Sequence, residues 1–477
     1  MYGALTRSSV HYIISLVLTR GLYFLMLPVL TAYLDPAAYG LFDLITIMGS
    51  LVLVVASLEI SQALGRFVPE VRDDPDESRA YASTAFVAVV VGYMIFAVLT
   101  LAFADPLARW LLGDSEQAHL IRLAVLSYAA LAFLYVQQAV LRGQLRSADY
   151  TRLSVLSAVV TLGAMLVVLI VLEGGVVHLL IAQTLGAVTG LTYGAWLTHR
   201  TITFRFDAAR YREMLLFSLP FVPSTLGVLA TQYIDRLAIS DLMSLSDVGI
   251  YSVASRIALL VTLAMLGVQS ALSPLIYSRF KDPETPGQIA TIFRVTLVGG
   301  LMLYLLIGFN ARHLVVLFSS PAFLNAAAVL PLLALAAFMR VAYIFTPGLD
   351  IAKRTGLIAV LNIGSAVLNT VLNYLLIPVW GLEGAALATL LSALALIFGY
   401  ALLSQREYPV PHKWGAAILC TALTITWMFF WPRLPSGGGA IFYVGGAFAS
   451  LLTACHFTGL LRITEARQFA RAVTKRG

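Results

Sequence analysis

The stretch TQYIDRLAIS, residues 231–240, sets Asp235 and Arg236 side by side in an otherwise apolar run. Successive residues of a helix point about 100° apart, so these two charges are not a ready-made pair. Each needs a partner elsewhere, and the need is acute if the run crosses a bilayer, where an isolated charge is expensive.

The rest of the chain says that it does. Of 477 residues, 60% are hydrophobic and 12% charged, and the mean hydropathy is +0.89. A soluble fold of this length needs far more polar surface. Apolar runs near the ~20 residues that cross the hydrocarbon layer as helix recur from end to end. They are continuous rather than alternating, which points to helices and not to a barrel. The expected fold is an all-α polytopic membrane protein with about fourteen spans: 10–34, 40–64, 81–104, 119–141, 153–172, 178–198, 215–240, 248–276, 291–309, 326–349, 357–378, 384–404, 414–432 and 440–461. The first run carries Arg20 and has no small-residue cleavage site, so no removable signal peptide is expected.

With both termini placed in the cytoplasm, 22 lysines and arginines fall on the inner side and four on the outer. The other five lie inside spans, which accounts for all 31. That asymmetry satisfies the positive-inside rule. The net charge of +7 then reflects orientation on an anionic leaflet, and no nucleic-acid partner is expected. Cys420 and Cys455 fall in late spans and read as small buried side chains. The histidines are scattered, with no pair at metal-ligand spacing.

Comparing the chain with itself exposes a duplication. Tyr39-Gly40-Leu41-Phe42 opens the second span and Val248-Gly249-Ile250-Tyr251 the eighth, an offset of 209. Leu172-Glu173-Gly174-Gly175 ends the fifth and Leu382-Glu383-Gly384-Ala385 the eleventh, an offset of 210. The expected organisation is a six-helix lobe over 1–198, a basic cytoplasmic linker over 199–214 lying at the membrane surface, a second six-helix lobe over 215–404, and two added helices with a basic tail over 405–477. Six helices per copy make the lobes parallel, with a central cavity on their pseudo-axis, a transporter's layout. Pro28, Pro220 and Pro223 sit in the leading helix of each copy and mark either hinges or fixed kinks.

Arg20, Arg236, Arg256, Arg294 and Arg340 fall within spans, as do Asp43, Glu59 and Asp235. An arginine at mid-membrane costs roughly 2.5 to 3.5 kcal/mol, so these must face protein or water. If they line the cavity, an excess of guanidinium over carboxylate favours an anionic substrate, gripped by paired N–H donors. The alternatives are snorkelling for Arg294 and structural ion pairs with Asp43, Glu59 or Asp235 for the deeper arginines. Glu59 could face solvent, Asp43 could cap or pair at the outer mouth, and Asp235 could be a strut or a proton or Na⁺ site. Asn362, Asn369 and Asn373 share one helical face, and with Gln137 and Gln138 either knit helices together or line a wet path.

The run NIGSAVLNTVLNYLLIPVWGLEGAALAT, residues 362–389, has paired asparagines, Ile-Pro and then Gly-x-x-Gly-Ala-Ala-x-Ala-Thr. Asp235-Arg236 is followed by Gly249, Tyr251 and Ala254, and the N-terminal part carries YLDPAAYGLF and LGRFVPEVRDD. These features resemble the polysaccharide flippases of the multidrug/oligosaccharidyl-lipid/polysaccharide exporter superfamily, over nearly the whole chain. The resemblance implies two six-helix lobes with an optional C-terminal helix pair. It also implies a non-enzymatic task in a bacterial inner membrane: moving a polyprenyl-diphosphate-linked oligosaccharide from the inner to the outer leaflet, coupled to H⁺ or Na⁺, with a glycan polymerase or export complex as candidate partner. No organic cofactor is expected. Competing functions are a cell-wall precursor flippase, a multidrug/cation antiporter, and, from another class, a glycan polymerase or ligase. The last needs catalytic groups on an outer loop, and the longest such loop, ADPLARWLLGDSEQAH over 104–119, holds no acid/base pair beside a nucleophile.

Overall fold

The structure is a computed structural model that describes residues 18–19, 21–71, 74–430 and 439–460. Among the described residues it is helical and contains no strand. Twelve helices carry the architecture: α1 Pro36–Ser57, α2 Pro75–Ala102, α3 Ala118–Gly143, α4 Ser147–Ile170, α5 Val176–Thr198, α6 Phe221–Leu242, α7 Leu245–Arg279, α8 Thr285–Phe309, α9 Ala326–Val341, α10 Thr355–Glu407, α11 Trp414–Phe430 and α12 Gly439–Phe457. Among the described residues nine helices are long and apolar enough to cross a membrane, or ten with the bent pair Ala208–Ser218 and Phe221–Leu242 counted as one span. The protein is therefore a multi-pass membrane protein.

Helix α10 has 53 residues, far longer than one crossing requires. Gly381 breaks it at φ 53°, ψ −133°, and the two arms return on each other, Ser365 Oγ donating to the Ser392 carbonyl at 3.1 Å. It therefore supplies the two expected spans 357–378 and 384–404. The helices 21–33, 414–430 and 442–457 are shorter apolar pieces.

Helix starts follow from local chemistry. Asp35 accepts from the Ala38 amide at 2.7 Å ahead of Pro36, and Asp74 accepts from the Asp76 and Glu77 amides ahead of α2. Both satisfy donors that the first turn leaves over. Proline marks the bends: the 46° break between Ala208–Ser218 and Phe221–Leu242 falls at Leu219-Pro220.

Two expectations change, and the linker gains defined contacts. The span 40–64 is broken at Leu58 and Glu59, both left-handed at φ 49° and 56°, and a separate helix runs Ile60–Glu70. Residues 104–119 are not an open loop but a helix, Ala104–Leu112, followed by a 3₁₀ turn, with Ala108, Leu111 and Leu112 buried. The linker 199–214 docks on the start of α2: Arg210 pairs with Glu77, Tyr81 donates to Glu213 at 2.6 Å, and Ser83 donates to the Thr201 carbonyl at 3.2 Å.

The chain forms two compact units, one reaching Ser252 and including Phe318–Phe323, the other made of Val253–Leu317 and the residues from Leu324 on. In the first, α5 approaches its neighbours closely because Gly186 and Gly190 face Thr161 and Ser157 of α4 and Gly194 faces Gln137 of α3. Gly40 and Gly249, the glycines of the duplicated tetrapeptide, meet reciprocally. A methyl on Gly40 would overlap the Leu245 carbonyl oxygen, and one on Gly249 would overlap that of Pro36. Pro36 and Leu245 are themselves 209 positions apart. This self-complementary contact has the form of a local two-fold axis.

The second unit is built on Phe293, Leu301, Phe338, Phe345 and Leu390, and α11 and α12 join this core through Cys420 and Leu451. Cys420 and Cys455 are buried free thiols with sulfurs 3.7 Å apart. His412 wedges between Phe293 and Trp414, with Nε2 2.9 Å from the Phe345 carbonyl oxygen. Burial, aided by the Arg294 charge, pushes its pKa down to about 4, against the opposing effect of the Phe345 hydrogen bond.

Replacing Gly40 or Gly249 with alanine should lower the thermal midpoint through overpacking, roughly 1–3 kcal/mol. Gly163→Ala meets nothing within 4 Å and should be neutral or stabilising. A thermal melt of the three purified variants checks this. His412 stays neutral when folded, so its contribution is present above its ordinary pKa of 6.5 and is lost as pH falls toward about 4. His412→Phe should flatten that part of the stability–pH curve by on the order of 3 kcal/mol relative to the parent chain.

Candidate functional site

The charges at residues 235–236 find their partners across three helices of the first unit. Helices α6 and α7 are joined by a tight turn in which Ser244 Oγ donates to Asp247 and accepts from its amide. The turn lays 235 opposite 251 and 236 opposite 252. Tyr251 OH donates to Asp235 Oδ2 at 2.8 Å. Arg236 Nε lies 3.0 Å from Asp43 Oδ2 on α1 and donates to Ser252 Oγ at 2.9 Å. Ser252 Oγ in turn donates to Asp43 Oδ2 at 2.7 Å. Arg236 also donates to the Gln232 carbonyl at 3.1 Å and lies over the Tyr233 ring.

One dipeptide, Asp-Arg, is thus latched by another, Tyr-Ser, and the arginine reaches on to a carboxylate of the duplicated segment. The Arg236 and Asp43 side chains are each only 9% exposed. In so dry a setting each charge needs its partner, because the loss of one leaves the other desolvated and uncompensated. The arrangement holds α1, α6 and α7 together, and it places two carboxylates and a guanidinium within bonding reach of the Tyr251 and Ser252 hydroxyls.

Among the other expected residues, Glu59 is placed away from solvent. It is 6% exposed at the left-handed break and accepts from Gln62 Nε2 at 3.3 Å. Arg256, Arg294 and Arg340 are half-buried in the second unit, Arg294 donating to Thr291 Oγ1 at 3.0 Å. Arg20 lies outside the described residues. Asn369 and Asn373 are fully buried in the first arm of α10. Asn373 donates back to the Asn369 carbonyl at 3.0 Å, and Asn362 to that of Ile358 at 2.9 Å. Asn369 and Asn373 thus sit within packed helix, whereas Asn362 is half-buried. Gln137 is buried against Gly194.

Gln138 lines a cavity of about 370 Å³ in the first unit, walled by α1, α3, α4 and α5 together with Thr19 and Tyr23. Its Nε2 donates to Ser154 Oγ at 3.1 Å. Sequence reasoning placed Asp43, Asp235 and Arg236 among the functional candidates but missed Ser252 and this cavity. Ser252 was available from the 209-residue offset, which puts it at the position of Asp43.

Asp43→Asn or Arg236→Met alone should destabilise the purified protein by roughly 3–5 kcal/mol. The double variant Asp43→Leu/Arg236→Met should recover most of that loss in thermal melts, since no charge is left unpaired.

Residues 5–280 match the family model described as polysaccharide biosynthesis protein. The chain is 26% identical over 401 residues to the probable low-salt glycan biosynthesis flippase Agl15 of Haloferax volcanii, covering 81% of each chain. Among solved structures, an inward-facing multidrug resistance MATE family transporter of the MOP superfamily superposes with a TM-score of 0.66 at 17% identity, over 83% of this chain and 98% of that one. The lipid II flippase MurJ, in an inward closed conformation, superposes at 0.65 and 13% identity, over 96% of this chain and all of that one. These likenesses give the fold of that superfamily of transporters. With the family model matched over more than half of its length, the chain belongs to the polysaccharide biosynthesis protein family.

Proposed function

We propose that this protein is a flippase that moves polyprenyl-diphosphate-linked oligosaccharide repeat units from the inner to the outer leaflet of a bacterial cytoplasmic membrane. The observation that carries this reading is the family match over residues 5–280. The relative named a glycan biosynthesis flippase and the flippase among the fold neighbours point the same way. The basic residues orient both termini to the cytoplasm. Transport proceeds by alternating access, coupled to H⁺ or Na⁺, with a glycan polymerase or export complex as a downstream partner.

The residues divide between two tasks under this reading. Arg256, Arg294 and Arg340, half-buried on α7, α8 and α9, are candidates to meet the diphosphate, and Arg20 joins them on its sequence position. The Asp43–Arg236–Ser252 and Asp235–Tyr251 contacts are the candidate coupling element. Protonation of either carboxylate or its capture of Na⁺ would weaken a contact that holds three helices. A drug-cation exporter wants an acidic excess at its site, whereas arginines outnumber carboxylates among the intramembrane charges.

Proteoliposomes loaded with a fluorescent polyprenyl-diphosphate oligosaccharide test the proposal. The headgroup should become accessible to a membrane-impermeant quencher faster than in protein-free vesicles. Asp235→Asn should leave the fold intact while removing the dependence of the rate on an imposed ion gradient. Exchange of lipophilic cations with no movement of the glycolipid would identify a multidrug antiporter instead. Selective movement of a peptidoglycan precursor would identify a cell-wall precursor flippase.

A further inference from the structure

The cavity of the first unit differs in character from the intramembrane charges. Its volume, about 370 Å³, lies in the roughly 300–1,000 Å³ range of small-molecule pockets. The walls combine aromatic faces, such as Tyr23, Tyr135 and Tyr150, with neutral hydrogen-bonding groups, such as Gln138, Ser154 and Gln183. Among the described residues no lysine, arginine, histidine or carboxylate lines it. The helices around it are apolar membrane spans.

A hollow in apolar helices has no need of polar walls if it stays empty, since empty protein cavities are apolar. This one has amides and hydroxyls on several sides. Gln183 Oε1 is buried without a hydrogen-bond partner among the described residues, a loss the fold would avoid unless something else donates to it. A diphosphate does not fit, because among the described residues no cation lines the cavity, the Arg142 guanidinium being stacked on the Tyr135 and Tyr150 rings, and moving its charges among neutral donors costs far more than they return. A cationic ligand is disfavoured for the same reason, having no carboxylate to meet. An uncharged ring bearing hydroxyls on its rim and C–H groups on its faces suits such walls: hydroxyls donate to the amide oxygens while the faces lie on tyrosine rings.

We infer that this cavity is a glycosyl subsite, which takes an uncharged sugar ring of the lipid-linked substrate while the diphosphate is held elsewhere. The inference rests on the flippase reading above and adds to it a division of the substrate between a neutral and a charged region. Sugar specificity would then lie in α1, α3, α4 and α5.

The full-length protein in detergent is titrated calorimetrically with two probes, a short-prenyl diphosphate carrying a neutral disaccharide and the same prenyl diphosphate without sugar. The glycosylated probe should bind the parent chain more tightly and should slow amide exchange in α3 and α4. Gln183→Leu loses no hydrogen bond among the described residues and should weaken the glycosylated probe roughly five- to tenfold, the worth of one hydrogen bond, leaving the bare diphosphate unchanged. Tyr135→Leu, which removes an aromatic face, should give the same split and serves if Gln183→Leu fails to fold. Equal weakening of both probes would place the diphosphate in the cavity and overturn the inference. A preference for the glycosylated probe that neither variant alters would show the cavity to be filled by water, and would overturn it while leaving the flippase reading in place. A parent chain that binds neither probe would remove the flippase reading and this subsite with it.

Discussion

A charge inside the hydrocarbon layer must be neutralised by the protein itself, and the first unit depends on how this chain does so. Arg236 cannot face lipid and Asp43 cannot stay ionised alone. Their contact at 3.0 Å, closed by Ser252, fixes the rotation of α6 and the register of α7 against α1. Asp235, turned about 100° from its neighbour, is committed to Tyr251. The adjacency of Asp235 and Arg236 is thus the means by which one helix reaches two directions at once.

The duplication supplies the geometry in which that contact forms. Gly40 and Gly249 allow the copies of one tetrapeptide to touch backbone to backbone. Three residues further along each copy lie Asp43 and Ser252, one carrying charge and the other a hydroxyl. Two aspartates there would repel, whereas serine opposite aspartate makes a hydrogen bond of 2.7 Å. The difference between these two positions, a carboxylate facing a hydroxyl, is what lets the arginine enter.

The membrane class and most span positions were legible because period, length and hydropathy are local properties of the chain. Asp43, Asp235 and Arg236 were legible as candidates because charge stands out against apolar neighbours. Their pairing was not, since it depends on helix rotation, which packing sets and hydropathy does not. The break at Leu58-Glu59 escaped because neither residue is glycine or proline, so nothing local announces a left-handed backbone. The helix 104–112 escaped because its aspartate, proline and tryptophan read as surface loop, while its buried stripe of Ala108, Leu111 and Leu112 is only one face of two turns. The cavity escaped for a further reason: its groups come from four helices and the segment of Thr19 and Tyr23, and no single stretch carries enough of them to be noticed.

The closeness of the two copies at the charged contact can be measured without reference to transport. With the native cysteines replaced and Arg236 changed to methionine so that no charge is left unpaired, Asp43→Cys combined with Ser252→Cys is expressed in intact membranes and treated with a mild oxidant. Rapid formation of an intramolecular disulfide, with both thiols shielded from a membrane-impermeant maleimide, is the expected result. Free thiols that fail to cross-link and react readily with the maleimide would contradict the buried contact on which the first unit is built.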